Sequence, residues 1–388
     1  MNVKRVVLFV LFELALLLVG IWLAPRALGL FFQLRGGKNI DRAIRNITSE
    51  GEVMYTCEAA PASDENAHIL ADSAIGYLQD SLEYYPQSPY THLLLGRAYC
   101  ILGEPRKAIQ PYLTYILLRP NNPLGHMELG FAYEALSNKP STEGVRPRPI
   151  HEWKMAGMTA KDFSRIGDQM VEEGNYEKAL VWYKRAEQMG MNVDGSVGYT
   201  NYLNYERAGD QPRARDALQQ IILEDKGWSS APFKFLAWYR WGKLLFEEKN
   251  YPEAEAALLK AIALYPGKSD LKPSLSEAYR FLGSAKWGEG QLDQATEYLR
   301  QAVEINQDNT WGHILYGQVL YMYDAQKVEQ THQEFIKAIN LQPDQPEIWL
   351  NLIDFWKWAG ETEMATLYCQ QAEMRWAGNS VVMEKCGQ

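Results

Sequence analysis

Two histidines, His92 and His126, stand 34 residues apart, and His313 occupies a comparable position further along the chain. Stacked helices could bring such residues into a column that binds a metal ion through imidazole nitrogens. No acid lies at ligand spacing beside His92 or His126, and a second reading accounts for all three. Each stands four residues before a glycine (Gly96, Gly130, Gly317), in a slot that Trp238 and Tyr279 fill elsewhere, so the histidines read as structural. The acid pairs Glu172-Glu173 and Glu247-Glu248 have the composition of a general acid–base couple. They recur at equal phase before Gly174 and Lys249, as solvated helix ends would. Gly36-Gly37-Lys38 lacks the strand and the spacing of a phosphate loop and reads as a turn. No serine or cysteine sits in a nucleophile elbow. The expectation is a chain without catalytic residues, metal or cofactor.

The glycines that follow these slots point to the elements that hold them. Gly96 and Gly130 are 34 residues apart, as are Gly283 and Gly317, and Gly167 and Gly242 fit the same frame once short insertions are allowed. Alanine follows most of them by 12 residues, at Ala108, Ala179, Ala254 and Ala295. A fixed period of this length predicts paired antiparallel helices that bury their remaining faces on neighbouring pairs. Helix axes that cross at about 8–10 Å need small side chains at the crossing. Glycine costs about 1 kcal/mol relative to alanine inside a helix. Its repeated use at one phase predicts close packing there, with the glycines set against the alanines.

These residues resemble the tetratricopeptide repeat family. Tyr279, Leu282-Gly283, Ala295, Leu299 and Ala302 follow its pattern, as do Trp238, Gly242, Tyr251, Ala254, Leu258, Ala261 and Pro266. The resemblance implies an all-α, right-handed superhelical solenoid of helix hairpins, in a membrane-anchored bacterial protein. Units are expected at 89–122, 123–159, 160–194, 195–234, 235–275, 276–309, 310–345 and 346–379. A half repeat is expected over 64–88 and a short tail over 380–388. Residues 138–158 break the pattern with Pro140, Pro147 and Pro149 and predict a loop, then a short helix near Ile150 to Met158. Tyr202 and Ile353 replace the glycine in two units, and one unit gains two residues near Gln326-Lys327.

In this family the first helix of each unit lines a concave face. The resemblance places Tyr90, Arg97, Phe131, Tyr199, Tyr239, Phe246, Trp287, Trp311, Tyr321 and Trp358 there, with Lys161, Asp168, Arg207, Lys243 and Arg280 as its charges. The competing reading puts many of these rings in the core between adjacent helices. An aromatic groove suits a protein partner, and a carbohydrate is the alternative ligand. The Lys/Asn/Arg clamp by which chaperone-binding members hold a carboxylate terminus is not present at Leu93, Arg97, Met127 and Phe131.

Residues 1–5 carry Lys4 and Arg5, and the run Val6 to Ala24 is almost wholly apolar. Nineteen helical residues rise about 28 Å, close to the thickness of a bilayer core. The expectation is one uncleaved transmembrane helix over 6–24; a cleaved signal peptide is the alternative, disfavoured by Pro25 and Arg26 at its exit. Glu13 lies mid-span, as a contact within the membrane or a tolerated neutral acid. Residues 25–63 read as juxtamembrane, with Phe31 and Phe32 in an interfacial stretch and a short amphipathic helix after Lys38. The repeats are placed outside the cytoplasm. An accessory subunit of a membrane enzyme, docked through Glu13, Phe31 and Phe32, is a further reading.

The net charge of −9 and the lack of a basic tract in the repeats exclude nucleic acid as a partner. Cys57, Cys100, Cys369 and Cys386 show no metal-ligand spacing and no CxxC. Cys100 and Cys369 read as small core residues, a Cys57–Cys386 bridge is disfavoured by their distance along the array, and the cysteines leave the compartment open.

Overall fold

The computed structural model describes the backbone of residues 3–47, 57, 64–137 and 148–387, and the side chains of these residues from Leu23 onward. All elements among the described residues are helical, and none is a strand. The chain divides into two compact units, Met1–Asp162 and Phe163–Gln388. The first holds α1 (Val3–Ile47), α2 (Glu65–Tyr84), α3 (Pro89–Ile101), α4 (Pro105–Leu118), α5 (Pro123–Ser137) and α6 (Pro149–Met155). The helix α7 (Ala160–Glu172) crosses the boundary. The second unit continues with α8 (Tyr176–Gln188), α9 (Asp194–Arg207), α10 (Gln211–Glu224), α11 (Ala231–Glu247) and α12 (Tyr251–Ala263). It ends with α13 (Lys272–Gly288), α14 (Leu292–Ile305), α15 (Thr310–Tyr323), α16 (Val328–Leu341), α17 (Pro346–Ala359), α18 (Thr362–Arg375) and α19 (Ser380–Gly387).

Local chemistry sets the helix ends. Ser88 Oγ accepts the Thr91 N–H at 3.3 Å just before Pro89 opens α3, and Asn309 Oδ1 accepts the Gly312 N–H at 2.8 Å at the start of α15. After α13 the chain turns through Gly290 at φ 79°, and after α11 Lys249 holds the equivalent left-handed place at φ 62°.

One contact recurs inside the hairpins. A Cβ on Gly167 would lie 2.7 Å from the Tyr183 ring, on Gly242 2.7 Å from Leu258, on Gly283 2.6 Å from Leu299 and on Gly317 2.6 Å from Phe335. Gly96 faces Tyr112 in the same way, and Gly130 faces Trp153. The expected partner was alanine. Ala108, Ala179, Ala254 and Ala295 are fully buried, but the group seated on each glycine is the large side chain four residues later. One helical turn separates the two, so both belong to the same inward stripe. In the α15–α16 hairpin the glycine-to-ring spacing grows from 16 to 18 residues, and the 3₁₀ turn Ala325–Lys327 absorbs the difference.

The N-terminal region departs from the expectation. Residues 25–47 continue α1 without a break, so the short amphipathic helix expected after Lys38 is not a separate element. Gly36 and Gly37 do not turn the chain. A Cβ on Gly36 would lie 2.8 Å from Leu78, so these glycines let α1 and α2 approach closely. Ile40, Ala43, Ala67, Ala71, Ala74 and Leu78 fill that seam. Residues 64–88 are therefore the second helix of a full hairpin whose first helix is α1. A polar cluster fixes the pair to α3: Ser81 Oγ donates to the Gly29 carbonyl at 2.8 Å, and Ser88 and Thr91 both donate to Gln33 Oε1, at 2.7 and 3.1 Å.

Among the described residues no helix is long and apolar enough to cross a membrane. The run Val6 to Ala24, including Glu13, lies almost wholly outside the residues whose side chains are described. Residues 138–147 also lie outside the described residues. The tail is the helix α19, with Val382 fully buried. The cysteines are paired: Cys57 bonds Cys100 and Cys369 bonds Cys386, which corrects the reading of Cys100 and Cys369 as simple core residues.

Glycine packing makes a two-sided prediction. Gly283→Val should lower the thermal midpoint, at a cost of about 1–3 kcal/mol for overpacking. Gly76→Ala should raise it by about 0.5–1 kcal/mol, because Gly76 is inside α2 with no atom within 4 Å of its Cβ direction. Circular-dichroism melts of the two variants check both signs.

Candidate partner-binding surface

The first helices α3, α5, α9, α11, α13, α15 and α17 carry the ten residues expected to line a groove. Several of them are core. Phe131 is 1% exposed and packs on Trp153 at 5.5 Å. Tyr199 is buried between Tyr202 and Phe233, at 5.8 and 5.6 Å. Tyr239 is also buried, and its hydroxyl is pushed up to about 12, mainly by that burial. Phe246 is half-buried against Phe281 and Tyr251, and Trp287 leans on the cluster of Ala295, Leu299 and Val319. The period marks an inward stripe but not which of its flanks reaches solvent.

Arg97 reaches the next first helix, where its Nε donates to Glu128 Oε1 at 2.8 Å. Glu128 is buried. Burial pulls the Arg97 guanidinium down, but the Glu128 carboxylate outweighs it and holds the group above its ordinary value. Arg97 therefore serves the fold.

Other expected groove charges also have partners within the fold. Arg207 donates to the Gly174 carbonyl at 2.9 Å and stacks on Tyr176, while Arg280 pairs with Glu277 at 2.7 Å and covers Phe281. Lys243 lies 3.7 Å from Glu247. Asp168 Oδ1 accepts from Tyr183 at 2.7 Å and from Ser229 at 2.5 Å, and the Ser229 N–H donates to Ser196 Oγ at 2.9 Å. Asp168 thus ties α7, α8 and the loop before α11 together.

Three of the nine rings stay exposed: Tyr90, Trp311 at 44% and Trp358 at 66%. Tyr323, at 54%, was missed by the family pattern because it ends α15 beyond the motif positions. Trp358 lies 5.8 Å from Phe355, which meets half-buried Tyr321 edge-on at 5.7 Å. The Tyr321 hydroxyl donates to Glu361 at 3.0 Å, which fixes this base. An exposed ring on a rigid aromatic base is a hot-spot geometry for an apolar partner group.

The three histidines and Glu248 have partners within the fold. His92 Nε2 lies 2.9 Å from the Pro86 carbonyl and His313 Nε2 lies 3.0 Å from that of Gln307, each six residues earlier. His126 Nδ1 meets Glu152 at 2.7 Å, and His313 Nδ1 meets Glu334 at 2.6 Å. Glu248 holds Arg215 at 2.9 Å. Among the described residues no group of three or more potential ligands is placed to hold a metal. A polar groove of about 640 Å³ lies between α9 and α10, with Asn201, Tyr205, Asp216 and Gln220 on its walls. At its rim Lys226 pairs with Asp194 and Glu224, at 3.6 and 3.4 Å.

Residues 234–308, in the α11 to α14 region, match the tetratricopeptide repeat family. Solved structures of similar fold include PilF of Pseudomonas aeruginosa, at 18% identity over 58% of this chain and 96% of that one, with a TM-score of 0.39. PilW, a type IV pilus biogenesis factor, is 16% identical over 58% and 97% of the two chains, with a TM-score of 0.40. YrrB, a repeat protein with an unusual peptide-binding site, is 15% identical over 61% and 97%, with a TM-score of 0.32. The comparison with curated proteins finds no match.

Two carboxyls make opposite predictions for acid. Burial raises Asp168 above the ordinary carboxyl value, and the hydrogen bonds from Ser229 and Tyr183 offset this only in part. The protonated form then favours the fold, and that advantage disappears as pH rises through the raised value. Asp168→Asn should melt above the native chain at neutral pH, with the gain fading below pH ~4. Burial also opposes ionisation of Glu334, but His313 and Lys337 hold its carboxyl below the ordinary value. Its contribution is present above the unfolded value of about 4.3 and is lost as pH falls through the lower folded one. Glu334→Gln should cost about 1.5–3 kcal/mol at neutral pH and less in acid. Thermal melts from acid to neutral pH check both.

Proposed function

We propose that the chain is a non-catalytic scaffold, tethered to a membrane by residues 6–24, that binds a protein partner on the repeat side through exposed rings of its first helices. The observation that carries this reading is Trp358, the most exposed ring of the expected groove, standing on the Phe355–Tyr321 base. Buried anchors contribute most of the energy at such surfaces, and an exposed tryptophan on a rigid support offers one. The tether rests on the length and apolar character of Val6 to Ala24. Both cysteine pairs support repeats held in an oxidising compartment, outside the cytoplasm. Cell-envelope assembly is the setting this combination suits.

Affinity recovery from detergent-solubilised membranes tests the scaffold. Trp311→Ala with Trp358→Ala should cut recovery of a protein partner at least tenfold. Undiminished recovery sinks the groove assignment, and glycan binding lost in the same variants would favour the carbohydrate alternative.

Peptide mapping of protein isolated from cells without reductant should recover the linked peptides Cys57–Cys100 and Cys369–Cys386. Four free thiols would overturn the exported topology. Cys386→Ser should destabilise the α18–α19 end by about 3 kcal/mol, as expected for a loop of this size.

A further inference from the structure

We infer that the first unit meets the lipid headgroup layer with one whole end of its helix stack, so that the α2–α3 and α4–α5 turns rest in the interface beside the anchor. The inference rests on the membrane-tether reading above and adds a second, repeat-borne contact with lipid.

The argument begins with the direction of α1. It is one helix from Val3 to Ile47, so the apolar run and the first hairpin share an element. Its partner α2 is antiparallel: Gly29 lies beside Tyr84 and Tyr85, with a Cβ there 3.2 Å from that of Tyr85, and Asn39 Nδ2 donates to Ser73 Oγ at 3.3 Å. The chain therefore returns toward Ala24 at the end of α2. Ser81 meets Thr91 at 3.2 Å, which sets the first turn of α3 at the same level. The helix α4 then runs back along α3, with Tyr112 against Gly96. Five residues on, Leu117 comes level with Thr91. A Cβ on Gly125 would lie 2.7 Å from Ile116, so α5 also starts there.

This end collects apolar surface. Leu30, Phe31, Tyr84, Tyr85, Tyr90 and Leu117 are all exposed, Leu117 at 80%, and most of the exposed large apolar side chains described in the unit lie here. Ile69, in the second turn of α2, is the exposed one near the opposite end. Rings and leucines at one level are what an interfacial belt uses. Phe32 stacks on Tyr84 at 6.0 Å, and the Arg35 guanidinium lies 4.8 Å over Phe31, an arrangement that lets the charge reach headgroups while its stem lies on the apolar surface. Along the chain, Arg26, Arg35 and Arg119 are the basic residues nearest these positions, and Asp80 and Glu83 are acidic residues near the end of α2.

The height agrees. Gly29 is five residues beyond Ala24, about 7.5 Å along a helix. The polar layer on each side of a bilayer core is about 5–7 Å thick. Tyr85, Tyr90 and Leu117 therefore come level with the outer edge of that layer, within reach of their side chains. Helices of the unit would stand upright on the bilayer, and the stack would extend along its surface.

Site-specific photo-crosslinking of the full chain in nanodiscs of phosphatidylcholine and phosphatidylglycerol tests this. A benzophenone amino acid replaces Leu11, Tyr85, Leu117 or Ile69 singly, and lipid adducts are read by mass spectrometry. Adducts at Leu11, Tyr85 and Leu117, with at least tenfold less at Ile69, are expected. Adducts at Leu11 without any at Tyr85 or Leu117 overturn the inference and leave the tether standing. Equal labelling at Ile69 overturns the one-ended contact. Absence of lipid adducts even at Leu11 overturns the tether and this inference together.

Discussion

The architecture depends on a backbone that comes close enough to receive a large side chain. At Gly96, Gly167, Gly242, Gly283 and Gly317 the missing Cβ leaves the volume that Tyr112, Tyr183, Leu258, Leu299 and Phe335 occupy. Interiors are packed at crystal density, so a methyl group at these points displaces a ring or separates two helices. A glycine inside a helix loses about 1 kcal/mol against alanine, and a fully buried side chain of this size returns about 1.5–3 kcal/mol. The balance favours the hairpin only when the two helices stay in register. That is why an insertion between α15 and α16 is absorbed in a 3₁₀ turn and does not shift the contact.

The same close packing governs the polar groups. Arg97 with Glu128, Arg207 with the Gly174 carbonyl, and Asp168 with Tyr183 and Ser229 are contacts between successive elements of one unit. A charge removed from water must find a partner, and in a stacked array the neighbouring helix is the nearest source. Arg97, Arg207 and Asp168 are thereby committed to the fold. Of the expected groove rings, those left exposed are Tyr90, Trp311 and Trp358.

The hairpins were legible because Gly-to-Gly period and inward stripe are both local properties of the sequence. Which rings reach solvent was not. Phe131 and Trp358 carry equal weight in a helical pattern, yet one is covered by Trp153 and the other projects past Phe355. The N-terminal region misled for a related reason. Pro25, Gly36 and Gly37 are breakers by intrinsic preference, but Leu78 and Leu94 pack against the two glycines and make the helical course the better-packed one. The pairings Cys57–Cys100 and Cys369–Cys386 needed knowledge of which turns approach one another, which spacing alone does not contain.

On the tether proposed above, continuity of α1 would give the anchor a mechanical character. A span joined to a domain by a Gly/Ser linker leaves orientation free, and effective concentration then falls with linker length. Here the run Val6 to Ala24 and the α2-packing stretch belong to one backbone helix, held to α2 and α3 by the Gly29–Ser81 and Gln33–Ser88–Thr91 hydrogen bonds. Rotation of the first hairpin about such a span would have to break these bonds or bend the helix. The natural place to bend is Pro25, which supplies no N–H to the helical ladder and lies outside the α2 seam. On that reading the first hairpin would follow the span as one helix, with Pro25 the point at which its tilt could adjust.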